Sequence, residues 1–183
     1  MKNYDNNNNN NNRIYHCLGI DPGPIKSAYI LISLCNNKLL NIIDKNYVDN
    51  DNMIKIILSK HIKFNDIEIA IETIVSYGNT MGQSTINTAI FVGRFYQLVK
   101  DISGKPTYIT RPDVYLNLCN KRRGVKSKNI TQSLKDRYGE LGTKANPGRL
   151  YNIKGAPKGS LGHIWSALAI AITFSDLKYG KIK

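Results

Sequence analysis

Residues 14–20 form a mostly apolar run that ends in Asp21-Pro22-Gly23, and a second apolar run, residues 27–34, begins four residues later. Runs of this length, separated by Pro and Gly, predict a strand, a tight turn and a returning strand. The turn holds one carboxylate, Asp21, at a strand end, beside backbone that glycine allows to approach a ligand closely. Two later segments echo this arrangement. Glu72 ends the run Ile67-Glu68-Ile69-Ala70-Ile71-Glu72, and His163 opens the apolar stretch His163-Ile164-Trp165-Ser166-Ala167-Leu168-Ala169-Ile170-Ala171. An acid, an acid and a histidine, each at the edge of a buried element, suit a divalent metal site.

The remaining pattern predicts how these edges are brought together. Residues 14–20, 27–34 and 38–44 read as a strand meander, with Asn36-Asn37 as a turn. Residues 53–62 have the spacing of a short helix, and residues 67–72 read as a strand. Residues 81–99 predict a long helix with Ala89, Val92, Tyr96 and Val99 on one face. A strand over 106–110, a short helix from Arg111 and a helix over 127–138 follow. Residues 139–161, rich in Gly, Pro, Lys and Asn, read as a loop. The last helix, 162–178, is apolar all round at its centre and is expected to be buried. Strands and helices in this alternation predict a three-layer α/β domain.

The length of 183 residues fits one such domain. The asparagine run at 6–12 has no apolar surface to bury, so residues 1–12 read as a disordered leader and the domain as residues 13–183. No apolar run reaches the roughly 18 residues of a membrane span, and the polar N-terminus has no signal-peptide core. An intracellular, soluble protein is expected. Cys17, Cys35 and Cys119, scattered and odd in number, read as reduced core thiols. The chain carries 26 Lys and Arg against 13 Asp and Glu, a formal net charge of +13. Such an excess points to a polyanionic partner, most simply nucleic acid.

The motifs Leu18-Gly19-Ile20-Asp21-Pro22-Gly23, Ile69-Ala70-Ile71-Glu72 and the segment from His163 to Ala171, in this order, resemble the RuvC-type Holliday junction resolvases of the ribonuclease H-like superfamily. The likeness runs over most of residues 14–176. Asn146-Pro147-Gly148 and the His-x-Trp-x-Ala-Leu-Ala pattern are most similar to RuvC-like proteins of phages and prophages. The resemblance implies a ribonuclease H-like fold, with a central mixed β-sheet flanked by helices. It also implies a homodimeric endonuclease, dependent on Mg²⁺ with Mn²⁺ able to substitute, that cuts four-way and other branched DNA symmetrically. Its place of work would be cytoplasm, nucleoid or a viral replication site. Asp21, Glu72 and His163 carry over as metal ligands and catalytic residues. The pattern departs at the fourth ligand: the family usually has an aspartate three residues after the first helix ligand, and here that residue is Ser166.

Between residues 100 and 158 there are 14 Lys and Arg against 4 Asp and Glu. The densest cluster, Lys121, Arg122, Arg123, Lys126 and Lys128, surrounds a Gly turn before a predicted helix start, a setting that favours phosphate. The family carries lysines important for cleavage and DNA contact here, which makes Lys126 and Lys128 catalytic candidates as well. Lys144, Arg149 and Lys154 form a second candidate strip for phosphates. The loop after Glu72 bears an aromatic residue in the family that contacts bases near the crossover. Val75 is the aligned position, and Tyr77, two residues on, is either a stacking wedge or an ordinary surface tyrosine. Two rival readings are a catalytically weak or inactive branched-DNA-binding module, favoured only by Ser166, and a phosphotransferase. The latter would need a second Gly-rich phosphate loop, which the sequence lacks.

Overall fold

The structure is a computed structural model and describes residues 14–64, 67–75, 78, 80–103 and 106–181. The asparagine-rich leader lies outside them. Strands β1 (Ile14–Asp21), β2 (Lys26–Cys35) and β3 (Lys38–Asp49) form an antiparallel meander. Helix α1 (Asn50–Lys63) leads to β4 (Ile67–Thr73), which pairs parallel to β1, and helix α2 (Gln83–Ser103) leads to β5 (Thr107–Thr110), parallel to β4. The sheet order is β3-β2-β1-β4-β5. Helices α3 (Arg111–Cys119), α4 (Ser127–Tyr138) and α5 (Leu161–Tyr179) complete the chain. This is the expected three-layer α/β domain around a mixed sheet.

Strand periodicity divides the core in two. Leu18, Ile20, Leu31, Ile69 and Ile71 point toward α1 and α2, where they meet Met53, Ile57, Val92, Phe95 and Val99. Cys17, Ile30, Ile32 and Ala70 point the other way, onto α5 and onto Val114, Ile130 and Leu134 of α3 and α4. Helix α5 is buried almost continuously from Ile164 to Asp176, as its all-round apolar character predicts.

Small residues set how closely α5 lies on the sheet. A Cβ on Gly19 would stand 2.3 Å from the Ala167 carbonyl oxygen and 2.9 Å from the Ala171 Cβ. Two residues of strand span about 6.6 Å and four residues of helix about 6.0 Å, so the two elements stay in step as they run antiparallel. Cys17 Sγ reaches the Ala171 carbonyl, Gly19 lies under Ala167 and Ala171, and Asp21 meets His163, one turn before Ala167.

The far end of α5 is fastened by buried polar groups. Arg137 of α4 grips Asp176 through two bonds, of 2.5 and 2.6 Å, and Asn117 of α3 adds a third at 2.8 Å. Removing one partner of such a pair leaves a buried charge unmatched, at about 3–5 kcal/mol. Asn36 and Asn37 form the expected turn, both in the left-handed region, and the Asn37 side chain joins Tyr15, Ser175 and the Gly180 carbonyl in one network.

Four details differ from the expectations. β3 continues to Asp49 rather than stopping at residue 44, because an edge strand tolerates the half-buried polar residues Asp44, Lys45 and Asn46, and Tyr47 and Val48 beyond them pack against the core. On α2 the buried face holds Phe95, while Tyr96 is half-buried and Ala89 exposed. Residues 139–161 are not a plain loop: Gly142 bridges to Pro147, and a 3₁₀ turn at Tyr151–Ile153 follows. The polar composition of that segment concealed two anchors, Leu150 and Ile153, both fully buried. Of the three free cysteines only Cys17 is buried.

Candidate active site

β1 and β4 are parallel neighbours, paired up to Ile20 opposite Ile71, so their next residues, Asp21 and Glu72, lie side by side at the same sheet edge. Both are buried, at 6% and 9% exposure, and Asp21 is near enough to raise the Glu72 carboxyl. The turn after Asp21 is fixed from behind. Ser27 Oγ donates to Asn50 Oδ1 at 2.5 Å, Asn50 Nδ2 donates to the Gly23 carbonyl at 3.0 Å, and the Gly23 N–H donates to Ser27 Oγ at 3.3 Å.

His163 stands on the first turn of α5, with Nδ1 3.0 Å from Asp21 Oδ2. In the neutral ring this contact puts the proton on Nδ1 and leaves the Nε2 lone pair for a ligand or a proton. The hydrogen bond to Asp21 raises the imidazole above its ordinary pKa, against an opposing effect of burial. Its ring is stacked on Tyr47, with centroids 5.0 Å apart and planes 2° from parallel. Tyr47 pairs with Ala28, which pairs with Asp21, so tyrosine and aspartate lie in one row across three strands.

Glu72 has a partner that the sequence reading did not identify. Arg111 Nε lies 2.5 Å from Glu72 Oε1, and Nη2 lies 2.9 Å from Oε2 and 4.0 Å from Asp21 Oδ1. Arg111 is the first residue of α3, directly after β5. A capping box holds it there: Thr110 Oγ1 accepts from the Asp113 N–H, and the Asp113 carboxylate accepts from the Thr110 N–H. Burial and the adjacent Asp21 push the Glu72 carboxyl up to about 8, while Arg111 pulls it down. The two-pronged contact with a guanidinium requires the carboxylate, so the geometry describes the ionised form. Nothing in the residues around Arg111 marks it, because the acid it meets lies 39 residues away and only the fold brings the two together.

Asp21, Glu72, Arg111, Val75, Thr85 and Thr88 are among the residues lining a cleft of about 300 Å³. Among the described residues no group of three or more His, Cys, Asp and Glu side chains is arranged as a metal cage. Asp21 is instead the shared neighbour of Glu72 and His163. Two buried carboxylates crowded together, with an imidazole on one side, form a donor set that fits a hard divalent cation, which needs few protein ligands. Ser166, half-buried one turn past His163, adds no carboxylate.

The basic candidates lie elsewhere. Lys121, Arg122, Arg123 and Lys126 are exposed in the segment joining α3 to α4, and Lys128 is exposed on the first turn of α4. None lines the carboxylate cleft, and the start of the segment is separated from Arg111 by the length of α3, about 12 Å. Lys121 lines a separate cavity of about 500 Å³ with Cys119 and Lys181. Lys144 and Arg149 are exposed on the folded segment before α5, whereas the Lys154 ammonium is held by the Gly142 carbonyl and the Tyr151 ring. Tyr77 lies outside the described residues. Glu68 pairs with Lys178 and Tyr179.

No family model matches the chain, and no curated protein matches its sequence significantly. Solved structures do match. RuvC of T. thermophilus in complex with a Holliday junction substrate superposes with a TM-score of 0.67 at 15% identity, covering 90% of this chain and 95% of that chain. The yeast mitochondrial Holliday junction resolvase gives 0.55 at 14% identity, over 88% and 79%. Fowlpox virus resolvase, in a complex with substrate Holliday junction DNA, gives 0.50 at 13%, over 89% and 98%. The chain therefore has the ribonuclease H-like fold of the RuvC-type Holliday junction resolvases.

Proposed function

We infer that this chain is a metal-dependent endonuclease that resolves four-way DNA junctions by hydrolysing one phosphodiester in each of two opposed strands. The observation that carries this reading is the buried Asp21–Glu72 pair at adjoining strand ends, faced by His163 from α5, at the same sheet edge of a fold shared with junction resolvases. The net charge of +13 and the exposed basic segment 121–128 supply the attraction for DNA.

Asp21 and His163 would hold Mg²⁺ or Mn²⁺, with the Glu72 carboxylate adjoining. A divalent cation there supplies polarisation of the scissile phosphate and activation of the attacking water. Asp21 orients His163 through Nδ1, Tyr47 holds the face of the same ring, and Arg111 neutralises Glu72. The basic segment, with Lys126 and Lys128 foremost, and the exposed Lys144 and Arg149 position the DNA backbone. Hydrolysis in this manner leaves 5′-phosphate and 3′-hydroxyl ends. The test is incubation of a synthetic four-way junction with Mg²⁺, with linear duplex as control. Paired symmetric nicks in the junction alone support the reading. Tight binding without nicks would replace it with that of a junction-binding module.

Two symmetric cuts require two sites, and a homodimer supplies them. Helix α2 is the face proposed for pairing: Ile86 and Ile90, one turn apart, are 43% and 55% exposed. Ile90→Glu should convert the dimer to a monomer in sedimentation analysis and leave the thermal midpoint of the chain nearly unchanged. A dimer that persists in that variant moves the interface elsewhere. Tyr47→Ala should slow cleavage about tenfold, the scale on which a group that orients a ligand acts, and Tyr47→Phe should restore it, since the ring alone touches His163. Equal loss in both variants would refute the stacking role.

A further inference from the structure

The two oxygens of Asp21 face different partners. Oδ2 meets His163 at 3.0 Å, and Oδ1 faces Arg111 Nη2 at 4.0 Å. Arg111 also engages both oxygens of Glu72. The guanidinium therefore stands on the Glu72 side of Asp21, where the second ion of a two-ion site bridged by Asp21 would need Glu72 as its ligand. On the other side, the residue one turn past His163 is Ser166, which contributes no charge.

Charge balance points the same way. Asp21 and Glu72 contribute −2 and Arg111 contributes +1, so one divalent ion brings these groups to +1, a suitable balance for a phosphodiester. A second divalent ion would bring them to +3, with no further carboxylate to offset it. The planar guanidinium matches the two oxygens of a carboxylate at two points, which a point charge does not. The Thr110–Asp113 capping box fixes the backbone from which the guanidinium projects.

We propose that Arg111 takes the place of a second divalent cation: the site binds one ion, at Asp21 and His163, and the guanidinium on Glu72 is the fixed positive charge on the other side. The proposal rests on the metal-dependent reading of this site. It is tested without DNA, by calorimetric titration of the metal-free chain with Mn²⁺. Wild type and Arg111→Lys should bind one ion per chain. Arg111→Ala frees Glu72 and should bind two. Should the alanine variant fail to fold, Arg111→Gln, which keeps length without charge, should also bind two. Two ions in wild type would overturn the proposal, as would a single ion in a folded Arg111→Ala or Arg111→Gln chain. No ion in wild type would overturn the metal-dependent reading itself, and with it the proposal.

Discussion

Asp21→Asn should leave junction binding within a factor of two of wild type and slow cleavage by about 10⁴-fold, on the scale of losing one member of a catalytic group. The substitution keeps the shape of the side chain. An amide oxygen still accepts a hydrogen bond from His163 Nδ1, so α5 keeps its contact with the strand end. What disappears is the charge with which this edge of the sheet would hold a hard cation, since a neutral amide is a much weaker ligand for Mg²⁺. The exposed lysines and arginines at 121–128, proposed to carry the salt-dependent affinity, are untouched. Gel-shift and cleavage assays on one junction, run side by side, separate the two effects. Cleavage within tenfold of wild type would remove Asp21 from the chemistry. Loss of binding would show that the acidic edge and the basic surface are not independent.

Gly19→Ala should destabilise the fold by about 3 kcal/mol, at the upper end of overpacking costs, and lower the thermal midpoint by roughly 6–12 °C. The added methyl meets a backbone carbonyl at 2.3 Å, which no rotamer change relieves. Helix α5 must lift from β1, and the helix carries His163. The variant should therefore lose activity at temperatures where it is still folded, because Asp21 and His163 are held in register by this contact. Thermal denaturation followed by circular dichroism, with cleavage measured well below the midpoint, checks both parts. An unchanged midpoint would refute the close-packing account of Gly19.

Gly19 shows what sequence could and could not disclose. As part of Gly-Ile-Asp-Pro-Gly it marks a strand end and a turn, and that much is legible locally. Its partners, Ala167 and Ala171, lie some 150 residues away, and only the fold brings them under it. Asp21, Glu72 and His163 were legible for the same local reason: each interrupts or ends an apolar run. The layers followed from alternation, because period-two and period-3.6 patterns are local too. Arg111 and Tyr47 were not legible in this way. Each is defined by a contact across the sheet, Arg111 with Glu72 and Tyr47 with His163, and neither breaks a pattern in its own segment. The segment at 139–161 concealed its order because two buried side chains, Leu150 and Ile153, suffice to pin a stretch otherwise made of Gly, Pro and Lys.

The ion pair at Asp176 gives α5 an angular tolerance. Thirteen residues separate Asp176 from His163, a lever of about 20 Å. Holding a ligand to about 0.5 Å at the end of such an arm requires the helix axis to be correct to about 1.5°. Apolar contacts alone leave a helix some freedom to roll and slide, since many nearby packings are almost equally good. Two parallel bonds between a guanidinium and a carboxylate admit one orientation, and here they act at the end remote from the chemistry. The aim of His163 is set as much by a bond two nanometres behind it as by the strand end in front of it.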